Sequence, residues 1–85
     1  MASRVGVISI IVENNESTEQ LNSLLLTYAA YIIGRMGIPS RQRGISIISV
    51  AVDAPQDVIS TLSGKIGNIN GISAKTVFSN VISDE

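Results

Sequence analysis

The 85-residue chain contains no cysteine, no histidine and no tryptophan. The first two absences remove thiolate nucleophiles, disulfides, zinc sites built on sulfur or imidazole, iron–sulfur ligation by the chain and imidazole acid–base catalysis. Charge is also scarce. Charged residues make up 15% of the chain, against about 25% in a typical globular domain. The net charge is −1 and the isoelectric point about 5.2. A free-standing nucleic-acid binder presents a broad basic face to displace counterions, so no direct nucleic-acid contact is expected. Aromatics are limited to Tyr28, Tyr31 and Phe78, too few for the stacking platform of an RNA-recognition sheet. No apolar run reaches the length of a membrane-spanning helix. The start, "MASRVGV", lacks the basic stretch and apolar core of a signal peptide. A cytoplasmic location, with no membrane contact, no metal and no cofactor, is the expectation.

What the chain does have is aliphatic side chain. Mean hydropathy is +0.36, which is more apolar surface than one small core can hide. A domain of this size buries only about 60–65% of the surface it exposes when unfolded. Excess apolar surface on a small domain marks an interface. Residues 1–85 therefore read as one domain that forms a homo-oligomer, a dimer or a tetramer.

The pattern along the chain supports six elements. "RVGVISIIVE" (4–13) is β-branched and strand-like. Ser17 with Gln20 has capping-box spacing, and Leu21, Leu24, Leu25, Tyr28 and Ile32 follow at helical spacing. Gly34 then suits the C′ position of that helix. A short strand over Met36–Ser40 and a hairpin near Gln42–Gly44 precede a long strand, "GISIISVAVDA". Pro55 suits the start of a second helix, with Val58, Ile59, Leu62 and Ile66 as its apolar face. Gly67 or Asn68 ends that helix, Asn70-Gly71 turns the chain, and "GISAKTVFSNV" is the last strand.

The order is β-α-β-β-α-β, and the halves resemble each other. "VISIIVEN" (7–14) aligns with "IISVAVDA" (47–54) at an offset of 40. "IGRMGI" is echoed by "IGNINGI". Two such halves describe a ferredoxin-like sandwich, an α+β fold with a four-stranded antiparallel sheet and two helices on one face. Within it, the first and third strands are expected side by side and parallel. Both faces of these strands are apolar. The bulkier set, Ile8, Ile10, Val12, Ile48, Val50 and Val52, is assigned to the helices. The other set, Val5, Val7, Ser9, Ile11, Ile45, Ile47, Ser49 and Ala51, is assigned to a partner subunit, because a monomer would leave that face polar.

Candidate chemistry is thin. Glu13 and Asp53 end the two central strands and are expected on one face, where paired carboxylates could hold a cation or share a proton. Favourable placement near helix N-termini explains them more simply. Ser60, Gly64 and Gly67 form a small-residue stripe on the second helix. "ENNESTEQ" lacks the glycines of a phosphate-cradling loop. Three of the six cationic residues, Arg35, Arg41 and Arg43, fall within nine positions. Guanidinium groups bind carboxylates and phosphates bidentately, so these three are the candidate ligand-binding residues. They could equally be solvated charges that blunt an edge strand.

The segment "YIIGRMGIPSRQRGISIISVAVDAPQDVISTLSGKIGNINGISAKTVFS" resembles the family of iron-only hydrogenase system regulators. Its most specific parts are "GRMGIP", "RQRGISIIS", "DAP" and "LSGK", and the likeness runs from Val5 to about Ser79. The family pattern often carries an aromatic at position 40, where this chain has Ser40. The resemblance implies a ferredoxin-like fold akin to ACT domains and to the C-terminal domain of nickel-responsive repressors. It also implies a link to hydrogenase systems and a protein partner from such a system. The nickel ligands of those repressors, His and Cys, are missing here, and the first strand begins near residue 4, leaving no ribbon-helix-helix segment. Any transcription regulation would then act through another protein. The expectation is a non-enzymatic, ACT-like regulatory module binding a ligand or partner. The alternative is a structural or adaptor oligomer with no small-molecule ligand.

Overall fold

The computed structural model describes residues 2–40 and 42–83, with side chains described through residue 81. Strand β1 (Ser3–Val12) leads through a 3₁₀ turn, Asn15–Ser17, into helix α1 (Thr18–Thr27). A second 3₁₀ turn, Ala29–Tyr31, precedes β2 (Ile32–Ser40). Then come β3 (Ile45–Ala54), α2 (Gln56–Gly67) and β4 (Ile72–Ser83). The sheet order is β2-β3-β1-β4 and every neighbouring pair is antiparallel. This is the expected α+β sandwich. No helix among the described residues is long and apolar enough to cross a membrane.

The expected parallel pairing of β1 with β3 is corrected: they run antiparallel, with Ser9 opposite Ser49 and Ile8 opposite Val50. The reason is topological. A βαβ crossover makes β2 parallel to β1, and the β2–β3 hairpin then reverses the chain. A strand lying between β1 and β2 must oppose both.

The alternation of the central strands places the bulkier set beneath the helices, as expected, and turns the other set to the opposite face. Ile8, Ile10, Val12, Val50 and Val52 are fully buried and Ile48 nearly so. They pack beneath Leu21 and Leu25 of α1 and Ile59, Leu62 and Ile66 of α2. Burying such a side chain contributes roughly 1.5–3 kcal/mol, so this layer is the main source of stability.

Local chemistry sets the ends of the elements. The Asn14 side chain accepts from the Glu16 N–H at 3.0 Å and caps the first 3₁₀ turn. Ser17 precedes α1 but makes no capping bond, contrary to the capping-box spacing. Its hydroxyl donates instead to the Asn70 carbonyl. The Glu13 N–H donates to the Gly71 carbonyl at 2.7 Å, so the loops before α1 and after α2 are tied together. Gly71 is required there. Its φ is +77° and an added Cβ would lie 2.5 Å from Asn14 Cβ.

The first helix is shorter than expected. It ends at Thr27, and Gly34 sits inside β2 opposite Ala51 rather than at a helix terminus. Tyr28 and Ile32 keep helical spacing across the end of the helix, so the apolar period runs on where the backbone does not. The "IGRMGI"/"IGNINGI" echo is likewise not structural, because the first lies in β2 and the second spans the end of α2 and its turn. The offset of 40 is structural: it carries α1 onto α2 and β2 onto β4.

Candidate functional site

The open face of the sheet is built from the residues whose side chains point away from the helices. Read across the strands, one row is Met36, Ser49, Ser9 and Lys75. The next row toward the β2–β3 hairpin is Ile38, Ile47, Ile11 and Ser73, and the row on the other side is Gly34, Ala51, Val7 and Val77. Val5 lies opposite Asp53. Of the residues assigned to a partner, Val5, Val7, Ser9, Ile11 and Ile47 are exposed, while Ile45, Ser49 and Ala51 are half-buried. The edge strands extend the apolar surface. Met36 is 63% exposed, Ile38 55% and Val77 70%. These three were missed from sequence because the edge strands alternate less regularly, yet Met36 and Ile38 are two apart and so share a face.

Of the three candidate arginines, Arg35 and Arg43 are placed on different elements. Arg35 lies in β2 opposite Val50, so it projects to the helix side of the sheet. Its Nη2 donates to Asn22 Oδ1 of α1 at 3.1 Å. Arg43 is in the turn between β2 and β3 and exposed. Ser40 is five positions beyond Arg35 along an extended strand, roughly 17 Å, before that turn begins. Arg41 lies outside the described residues.

Glu13 and Asp53 are also apart, correcting their expected pairing. With β1 and β3 antiparallel, Asp53 lies beside Val5 while Glu13 follows Val12 at the opposite end of the sheet. The strand between them spans roughly 25 Å. Among the described residues no group of three or more metal-ligating side chains lies together. Asp53 instead shares a cleft of about 520 Å³ with Ser3, Tyr31, Pro55 and Asp57 at the start of α2.

A second cleft, of about 360 Å³, lies between α1 and the edge strand β2. It is lined by Asn22, Leu25, Leu26, Ala29, Ile32 and Arg35. Its walls are apolar, and its polar groups are the guanidinium and amide that bond to each other. Asn22 was not singled out from sequence. Its signal was available only through the fold, since thirteen positions separate it from Arg35.

A remaining cation has a structural task. Arg4 donates from Nε to the Ser79 carbonyl at 3.1 Å and from Nη1 to Gln56 Oε1 at 2.7 Å, with its guanidinium 5.2 Å from the Phe78 ring centroid. It holds the register shift between β1 and β4 against the start of α2.

Comparison with known proteins agrees with this architecture. The structure of an uncharacterized protein, TM1266, from Thermotoga maritima superposes with a TM-score of 0.85 and 34% identity, covering 89% of this chain and 96% of that one. A formyltetrahydrofolate deformylase from Pseudomonas putida KT2440 matches with a TM-score of 0.65 over 91% of this chain, but over 30% of its own length. At 14% identity that second likeness shows the fold alone. No curated protein sequence matches the chain. Residues 4–76 match the TM1266-like family model, described as "Iron-only hydrogenase system regulator, putative". With the matched segment spanning nearly every element of the sandwich, the chain belongs to this TM1266-like family.

Proposed function

We propose that the protein is an ACT-like regulatory module of an iron-only hydrogenase system, acting by binding and not by catalysis, and assembling with copies of itself through the open face of its sheet. The observation that supports this most is the set of exposed aliphatic side chains in register on that face, Val5, Val7, Ile11, Met36, Ile38, Ile47 and Val77. A contiguous patch of this kind on a small domain marks an association surface. Its strand-built form suits a second sheet of the same composition, as in sheet-on-sheet packing. The proposed setting is the cytoplasm, with a hydrogenase-system protein as the further partner. Nucleic-acid contact is left to that partner, because the net charge is −1; a gel shift with promoter fragments at physiological salt tests this and should stay unshifted.

Sedimentation velocity at micromolar concentration tests the assembly. The wild-type chain should sediment as an oligomer. Ile47→Glu should shift it to smaller species, because association would desolvate an unpaired carboxylate at a cost of several kcal/mol. A wild-type monomer at that concentration would overturn the reading.

The adaptor reading is supported by a different observation. β4 is an edge strand whose Val77 and Val81 are both largely exposed, and an exposed edge can accept a strand from another protein. A thermal-shift screen of small metabolites separates the two readings. A ligand at about 100 times its Kd adds about 2.7 kcal/mol of stability, whereas a pure adaptor responds to none.

A further inference from the structure

We infer that the cleft between α1 and β2 is a binding site for a small monocarboxylate with a short apolar body, held by Arg35 and Asn22. It supplies a ligand class for the regulatory reading, and depends on that reading for its consequence but not for the binding itself.

The polar end comes first. Arg35 projects from β2 on the helix side, and its guanidinium is bonded to Asn22 Oδ1. Among the described residues no acidic side chain bonds it. A guanidinium carries five N–H donors, so most remain available beside the Asn22 amide nitrogen. That arrangement is a donor fork suited to a carboxylate. It faces an apolar wall made by Leu25, Leu26, Ala29 and Ile32. The volume of about 360 Å³ falls in the range of small-molecule sites, which are mostly apolar with a few placed polar groups.

The strand beside the cleft adds a separate observation. Gly37 faces the helix side opposite Ile48, two residues from Arg35. A Cβ built there would meet only Ile48 Cγ1, at 3.9 Å. The protein's own packing does not require a glycine at that position. Glycine within a strand weakens it and commonly marks close approach of a ligand or another backbone. Gly37 shares the helix side of β2 with the guanidinium, next to and not within the set of residues that line the cleft.

The lining also selects among carboxylates. Among the described residues no Asp or Glu lines the cleft, so none of them offers the ammonium of a free amino acid an anionic partner there. The preferred ligand is therefore anionic and not zwitterionic.

The test uses isovalerate and phenylacetate as probes, with isovaleramide and leucine as controls, read by two-dimensional NMR of the full chain. Isovalerate should shift the methyls of Leu25, Leu26, Ala29 and Ile32 and the Asn22 side-chain amide, saturably. Isovaleramide should not, and leucine should bind more weakly than isovalerate. Arg35→Gln, at an exposed position, should keep the folded spectrum and weaken binding by about tenfold to a hundredfold. Arg35→Lys should recover part of it. Four results would overturn the assignment: no shifts at millimolar probe, shifts on the open sheet face in place of the cleft, equal binding of the amide or leucine, or unchanged binding in Arg35→Gln. Sedimentation of the same samples reports assembly separately, so failure of the site and failure of the oligomeric reading are distinguishable.

Discussion

The two faces of the sheet have nearly the same aliphatic composition and opposite fates. Ile10 is fully buried beneath the helices, while its neighbour Ile11, one residue along and on the other side, is 42% exposed. Local preference cannot account for the difference, because both are isoleucines, adjacent near the end of the same strand. What differs is the cover. Two short helices shield one side of four strands, and the other side keeps an apolar surface that no element of the chain covers among the described residues. The comparison teaches that strand patterning encodes which residues share a face, while the number of covering elements decides which face is core.

The most direct way to sharpen this contrast is to truncate the adjacent isoleucines. Ile10→Ala should cost about 2–5 kcal/mol in urea denaturation, from lost burial and the cavity left behind. Ile11→Ala should cost less than half as much when measured on the dissociated monomer. Equal costs under those conditions would mean that the open face is core within a single chain. The next test concerns what holds the helix layer in place. Gly71→Ala should destabilise by about 1–3 kcal/mol, since it puts a side chain at positive φ and against Asn14. Hydrogen exchange should then speed up first in the loops around Asn14 and Asn70. A variant as stable as wild type would show that the tie between the two loops contributes little. The smallest effect is expected at the hairpin. Arg41→Ala combined with Arg43→Ala should change stability by no more than about 0.5 kcal/mol and leave isovalerate binding intact. Loss of that binding would move the ligand site from the cleft to the turn.

Much of the architecture was legible because β1 and β3 alternate strictly and the halves repeat. Ile8, Ile10 and Val12 against Val7, Ser9 and Ile11 suffice to separate two faces. The boundary between α1 and β2 was not legible. Tyr28 and Ile32 preserve the helical period past the helix end, and Gly34 imitates a stop signal while lying in a strand. The direction of β3 was available from element order alone, through the hairpin, but composition carries no trace of it. The cluster of arginines illustrates the opposite difficulty. Closeness in sequence suggests a shared site, yet an extended strand separates neighbours rapidly, and the partner of Arg35 lies thirteen residues away on a helix.

The pairing of Ser9 with Ser49 has a further consequence. These two residues are related by the repeat offset of 40 and are also direct partners across β1 and β3. The internal pseudo-axis therefore pierces the open face at this hydroxyl pair. A surface that nearly reproduces itself on a half-turn offers any docking partner two almost degenerate orientations. The flanks lift the degeneracy, because Lys75 stands beside Ser9 on β4 where Met36 stands beside Ser49 on β2. Exchanging the two, Met36→Lys with Lys75→Met, would thus invert the polarity of docking while leaving its centre untouched.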